Sequence, residues 1–192
     1  LMKFYHSILL VLLVFLTACK SEFEALRSSN NPEKVYKAAN KYYTEKQYDR
    51  AIALYDIVIQ YYRGRQEAED LFYKYAYAHY YQGDYILAST YFKNYSGTFA
   101  NSPNKMDAEY MSAYSNYKLS PNYKLDQTYT SKAIEGFEQF VNLYPNTEKA
   151  TEANNMIDEM RKKLEIKSFA QGELYYKIGE YQAAVTSFQN TL

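Results

Sequence analysis

Two kinds of hydrophobic pattern run along this chain. The first is a single apolar stretch, Ile8 to Leu16, preceded by Lys3 and followed by Thr17, Ala18 and Cys19. A spanning helix needs about 20 apolar residues, so this stretch is too short for a good membrane anchor. It fits the apolar region of an export signal, about 7–15 residues long, with small residues before the cut. The second pattern recurs. Ala51-Ile-Ala-Leu-Tyr55, Ala88-Ser-Thr-Tyr-Phe92, Ala133-Ile-Glu-Gly-Phe137 and Ala184-Val-Thr-Ser-Phe188 are four copies of alanine followed four residues later by an aromatic ring. Three of them carry a tyrosine three residues before the alanine: Tyr48, Tyr85 and Tyr181. Twelve residues before the alanine stands a small residue, at Ala39, Ala76 and Gly172, with Tyr42, His79 and Tyr175 three residues after it. Steps of three and four residues keep side chains on one face of a helix. The pattern therefore predicts paired helices joined by short polar turns at Glu45-Lys-Gln47, Gln82-Gly-Asp84 and Ile178-Gly-Glu180.

This is the tetratricopeptide spacing, and the first two copies lie 37 residues apart (88 − 51), close to the unit of about 34. Each mark has a physical cause. The small residue of the first helix and the alanine of the second belong where two helices cross closely. The aromatic one turn later fills the space against the next repeat. Pro145, after Tyr144, ends one second helix because proline cannot continue the helical hydrogen bonding. The third unit departs: its first helix, about Met106 to Leu119, has its small residue at Ala113, twenty residues before Ala133. The added eight residues fall in Ser120-Pro-Asn-Tyr-Lys-Leu-Asp-Gln-Thr128, a run of turn formers. Thr147 to Leu164 reads as a longer spacer helix. The fold class expected is all-α, a tetratricopeptide-repeat α-solenoid of about four units, 32–63, 69–100, 106–146 and 165–192. The fourth unit breaks off inside its second helix, which reads as a fragment lacking at least one helix, and Leu1 before Met2 reads as an artefact.

Composition narrows the function. There are 22 basic and 22 acidic residues, and no basic run long enough for nucleic acid. Cys19 is the only cysteine, and His6 and His79 are the only histidines. No disulfide or cysteine metal site can form, and any histidine chemistry would rest on His79, which falls at a core position of the repeat. Asp107/Glu109 and Asp158/Glu159 are too close in sequence to share a helix face for paired acid–base work. Arg161-Lys-Lys163 reads as a solvated face. With no Gly-rich phosphate loop and no Gly-x-Ser-x-Gly, the chain is read as non-enzymatic, without metal or cofactor.

Tyrosine is the outlier, 25 of 192 residues, with no tryptophan. Counted from the small residue, positions three before, one after and four after line the groove of such repeats. Here they are Tyr36, Asn40 and Tyr43, then Tyr73, Tyr77 and Tyr80, then Tyr110, Tyr114 and Tyr117; the fourth unit offers Phe169, Glu173 and Tyr176. Each trio shares one helical face. One reading is a tyrosine-paved trough for extended, aromatic-ended peptides, with hydroxyls toward solvent. The other is that the rings pack between helices. Val35, Tyr42 and Tyr55, or Phe72, His79 and Phe92, occupy the core positions separately, which favours the trough. Lysine is absent from the groove positions, which disfavours a carboxylate clamp.

Leu16-Thr17-Ala18-Cys19 resembles the lipobox of bacterial lipoproteins, in which the cysteine is acylated and heads the mature chain. That makes 1–18 a signal peptide, 19–31 the lipidated amino terminus and tether, and 32–192 the repeat domain. This anchor, the opening Pro32-Glu-Lys-Val-Tyr36, the insertion Leu125-Asp126-Gln127-Thr128 and Phe140-Val-Asn-Leu-Tyr-Pro-Asn-Thr147 together resemble the BamD family, lipoproteins of the outer-membrane β-barrel assembly machinery. The resemblance implies an outer-membrane lipid anchor at Cys19 on the periplasmic face. It also implies docking on the POTRA domains of the barrel-insertase subunit, and binding of unfolded outer-membrane protein precursors. Alternatives are another tetratricopeptide lipoprotein of the envelope, such as a secretin pilotin or an envelope coordinator, or a glycan-capture lipoprotein. The last use relies heavily on tryptophan, which this chain lacks.

Overall fold

The computed structural model describes residues 22–189, so Cys19 and the export-signal reading lie outside the described residues. Among these residues the fold is all-α: α1 (22–27), α2 (Pro32–Thr44), α3 (Tyr48–Tyr62), α4 (Ala68–Gln82), α5 (Tyr85–Thr98), α6 (Lys105–Leu119), α7 (Thr128–Leu143), α8 (Glu148–Lys177) and α9 (Tyr181–Gln189). Two compact units result, one ending at Gln82 and the other beginning at Gly83. In the first, α2 packs on α3 and α3 on α4; in the second, α5 to α9 pack each on its sequence neighbour. This is the tandem helix packing that the tetratricopeptide spacing predicts.

Local chemistry sets the helix ends. Asn31 caps α2 by accepting the Lys34 amide at 3.0 Å, with Pro32 in the first turn where its missing N–H costs nothing. Thr147 caps α8 by accepting the Ala150 amide at 3.1 Å. The three short turns read from the sequence share one device, a middle residue in the left-handed region: Lys46 at φ 60, Gly83 at 88 and Gly179 at 86.

The register holds in detail. Ala39, Ala76, Ala113 and Gly172 are all buried, as are Ala51, Ala88, Ala133 and Ala184. A Cβ on Gly136 would lie 2.9 Å from that of Ala113, and one on Gly172 would lie 2.6 Å from the Phe188 ring. Those contacts leave no room for a larger side chain. Tyr55, Phe92 and Phe137 are fully buried behind their alanines. Of the expected core partners, Val35 and His79 are buried, but Tyr42 and Phe72 are only half-buried.

Two expectations need correction. The spacer helix and the first helix of the fourth unit are one continuous element, α8, of 30 residues. Part of the expected tether is helical and docked: Leu26 is buried, Phe23 meets the Tyr42 ring edge-on at 5.8 Å, and the Arg50 guanidinium lies 5.6 and 5.5 Å from those two rings.

Candidate functional site

In the first unit the expected groove positions sit on the first helices of the repeats, and all six are half-buried. Tyr36 on α2 donates its phenol proton to Asp70 Oδ2 on α4 at 2.7 Å. Lys74 bridges Asp70, at 2.7 Å, and Asn40 Oδ1, at 3.2 Å, while the buried Tyr55 hydroxyl also donates to Asn40 at 2.9 Å. Burial pushes the Tyr36 phenol up to about 12; Asp70 adds to the shift and Asn40 opposes it. Burial also drives Tyr43 and Tyr55 well above the ordinary value. These phenols are neutral donors at any physiological pH. Tyr73 and Tyr77 meet edge-on at 5.0 Å, and Tyr77 continues to Tyr80 at 6.5 Å. A lysine beside Asn40 was not read from the sequence, because Lys74 lies one position after Tyr73. Its charge is paired with Asp70, so it does not supply a carboxylate clamp.

In the second unit α6 carries a staircase of rings. Tyr110 stacks on Tyr114 at 5.8 Å with planes 13° apart, and Tyr114 on Tyr117 at 5.7 Å and 25°. Tyr110 departs from the expected exposure: it is 6% exposed, set against Phe137 and Phe140, and belongs to the core. Tyr114 and Tyr117 are half-buried. The hydroxyls of the two outer rings do not point to solvent. Tyr110 donates to Glu152 at 3.1 Å and Tyr117 to Glu159 at 2.8 Å, both on α8. The Glu159 bond, and then burial, raise the Tyr117 phenol to about 12. Lys149 pairs with Asp107 and lies 4.7 Å over the Tyr110 ring. Phe169 and Tyr176 are exposed.

The offsets explain which partners were missed. Tyr36–Asp70 and Asn40–Lys74 span 34 residues, one standard repeat. Tyr110–Glu152, Tyr117–Glu159 and Asp107–Lys149 span 42, the same offset lengthened by the eight-residue insertion (42 − 34). Each is a tie between successive first helices. The signal was present as carboxylates at those offsets, but it is readable only once the insertion has been placed.

The remaining candidates serve packing. His79 is buried with its ring edge-on to Tyr75 at 4.7 Å. Glu109 faces Lys105 and the Tyr144 hydroxyl, whereas Asp107 pairs with Lys149 of α8. In the basic cluster, Arg161 pairs with Glu138 at 2.7 Å, Lys162 with Glu165, and Lys163 donates to Ser120 Oγ at 2.8 Å. Arg161 and Lys163 thus tie α8 to its neighbours, while Lys162 stays on the solvated face of α8 itself. Lys167 extends the same row, donating to the backbone carbonyls of Tyr123 and Leu125 at 3.1 and 2.7 Å.

Comparison with known proteins adds an independent line. The sequence profile of a family described as outer membrane lipoprotein, YfiO, matches residues 28–192. The outer membrane protein assembly factor BamD of Caulobacter vibrioides is 31% identical over 113 residues, covering 59% of this chain and 37% of that protein. The match thus spans little more than a third of that relative's length.

Proposed function

The chain belongs to the YfiO family of outer membrane lipoproteins, and we propose that it is a non-enzymatic scaffold in the assembly of outer-membrane β-barrel proteins. Acyl chains on Cys19 hold it to the periplasmic face of the outer membrane. It docks there on the POTRA domains of the barrel-insertase subunit and receives unfolded barrel precursors. The observation that carries this reading is the family match across 28–192, joined to the lipobox before it.

The ring stripes give the precursor-binding part its physical basis. Half-buried tyrosines combine an apolar ring with a polar tip, and they suit partners whose extended segments alternate aromatic and polar residues. Tyr36, Asn40, Tyr43, Tyr73, Tyr77 and Tyr80 supply such a face on the first unit, and Tyr114 and Tyr117 on the second. Tyr110 is excluded from the contact set by its burial. Purification of the tagged full-length protein from its native envelope should bring the insertase subunit with it. A preparation lacking that subunit overturns the scaffold reading. For the stripe, Tyr77→Ala combined with Tyr114→Ala should weaken binding of a carboxy-terminal barrel-protein peptide about tenfold or more, the loss of a central aromatic contact. Unchanged affinity in the double variant places the peptide elsewhere.

A further inference from the structure

The first unit has a chemically distinct end, formed by the α2–α3 turn together with the last turn of α4. We propose that this end is seated in the headgroup layer of the membrane to which the chain is anchored, with Tyr48 and Tyr81 as its interfacial rings. The inference rests on the acylated-Cys19 reading above and adds an orientation to it.

Chain length limits how far Cys19 can lie from this end. The α1 residue Phe23 is fastened to Tyr42, in the last turn of α2, and to Arg50, in the first turn of α3. Phe23 lies only four residue steps beyond Cys19 (23 − 19). A chain spans at most about 3.6 Å per residue, so whatever path those residues take, the Cys19 backbone lies within about 14 Å of Phe23. Acyl chains on Cys19 must enter the bilayer. The end of the unit to which α1 is fastened is therefore held close to the headgroups.

The side chains at this end support the same placement. On the other flank of the same turn, Tyr43 meets Tyr48 at 5.8 Å, and Tyr48 stacks on Tyr81 at 4.9 Å with planes 25° apart. Tyr77 stacks on Tyr81 at 5.6 Å. Tyr81 is 52% exposed in the last turn of α4. Neither Tyr48 nor Tyr81 belongs to the stripe positions; Tyr48 is half-buried at the tyrosine position that recurs in the repeat, whereas the exposed Tyr81 stacked on it stands where the other units carry Thr44, Lys118 and Lys177. Tyrosine is enriched where a membrane meets water, because its ring seats among the headgroups while its hydroxyl stays wet. The exposed charges around the turn are mixed, Lys41 and Lys46 beside Glu45 and Asp49, with no polybasic patch. That mixture fits a largely zwitterionic surface and predicts contact that salt does not release.

Because the chain has no tryptophan, one introduced tryptophan reports its own surroundings. The test uses the acylated full-length chain in vesicles of phosphatidylethanolamine with a minority of phosphatidylglycerol, brominated on the acyl chains near the headgroups. Tyr81→Trp is the reporter and Tyr48→Trp its duplicate, should either disturb the fold. Tyr61→Trp is the control: it is exposed, and it sits 13 residues (61 − 48) along α3 from Tyr48, about 20 Å away. Emission from Tyr81→Trp and Tyr48→Trp should shift to the blue and lose most of its intensity, in low and high salt alike, while Tyr61→Trp stays bright. Protein that co-floats with the vesicles but shows equal emission at all three positions overturns the seating and leaves the anchor standing. Protein that does not co-float overturns both.

Discussion

Tyr36 and Tyr117 are each hydrogen-bonded to a carboxylate of the next first helix, and that arrangement carries a sign. A phenol titrates near 10 in an unfolded chain but near 12 at both of these positions in the fold. The folded state therefore binds the phenolic protons more tightly. Their contribution is fully present below about pH 10 and is lost as pH rises through about 12. Absorbance of tyrosinate should show a late-titrating fraction, and thermal unfolding should fall across that same window. Tyr117→Phe should cost about 1 kcal/mol near neutrality, since Glu159 keeps access to water, and should flatten part of the alkaline loss. Equal melting of the variant and the parent at pH 7 and pH 11 removes the tie. Lys46 gives a second residue-scale test. It holds the left-handed position that glycine fills in the two equivalent turns, a conformation costing an L-residue roughly 1–2 kcal/mol. Lys46→Gly should raise stability by up to about 1 kcal/mol, after allowance for the freedom glycine gains when unfolded.

At the scale of elements, what was legible in the sequence was what close packing dictates. Ala39 and Ala51, or Ala76 and Ala88, announce their helices because no other size fits a tight crossing. The boundary drawn at Leu164 failed for a physical reason. It followed from repeat counting, whereas no proline or glycine interrupts 148–171, so nothing stops α8 there. The docking of α1 was hidden because a mostly polar segment is held by two apolar residues and one stacked guanidinium. The insertion read as a plain loop is instead fixed at both ends. Gln127 donates to the carbonyls of Asn122 and Leu125 from inside, and Lys167 of α8 donates to those of Tyr123 and Leu125 from outside. Lys167→Ala should leave the helical content intact while speeding amide exchange and proteolysis within 122–126. Exchange as slow as in the parent means that Gln127 alone fixes the loop.

For the whole molecule, the open question is what keeps it at a membrane. α8 is long enough to cross a bilayer, 30 residues or about 45 Å, but it is charged throughout, and no helix among the described residues is both long and apolar enough to span. On the function proposed above, attachment rests on acylation of Cys19, and its strength depends on how many acyl chains that residue carries. One chain binds a bilayer only marginally and reversibly, whereas several hold it stably. Among the described residues the buried core begins at Leu26, seven positions beyond Cys19 (26 − 19). Cys19→Ser should therefore leave circular dichroism and thermal unfolding unchanged while moving the protein from the membrane pellet to the periplasmic supernatant. The decisive comparison is made in cells depleted of the insertase, so that docking on a membrane-bound partner cannot stand in for the anchor. Retention of Cys19→Ser in the pellet under that condition means that another part of the chain grips the membrane, and the lipobox reading falls with it.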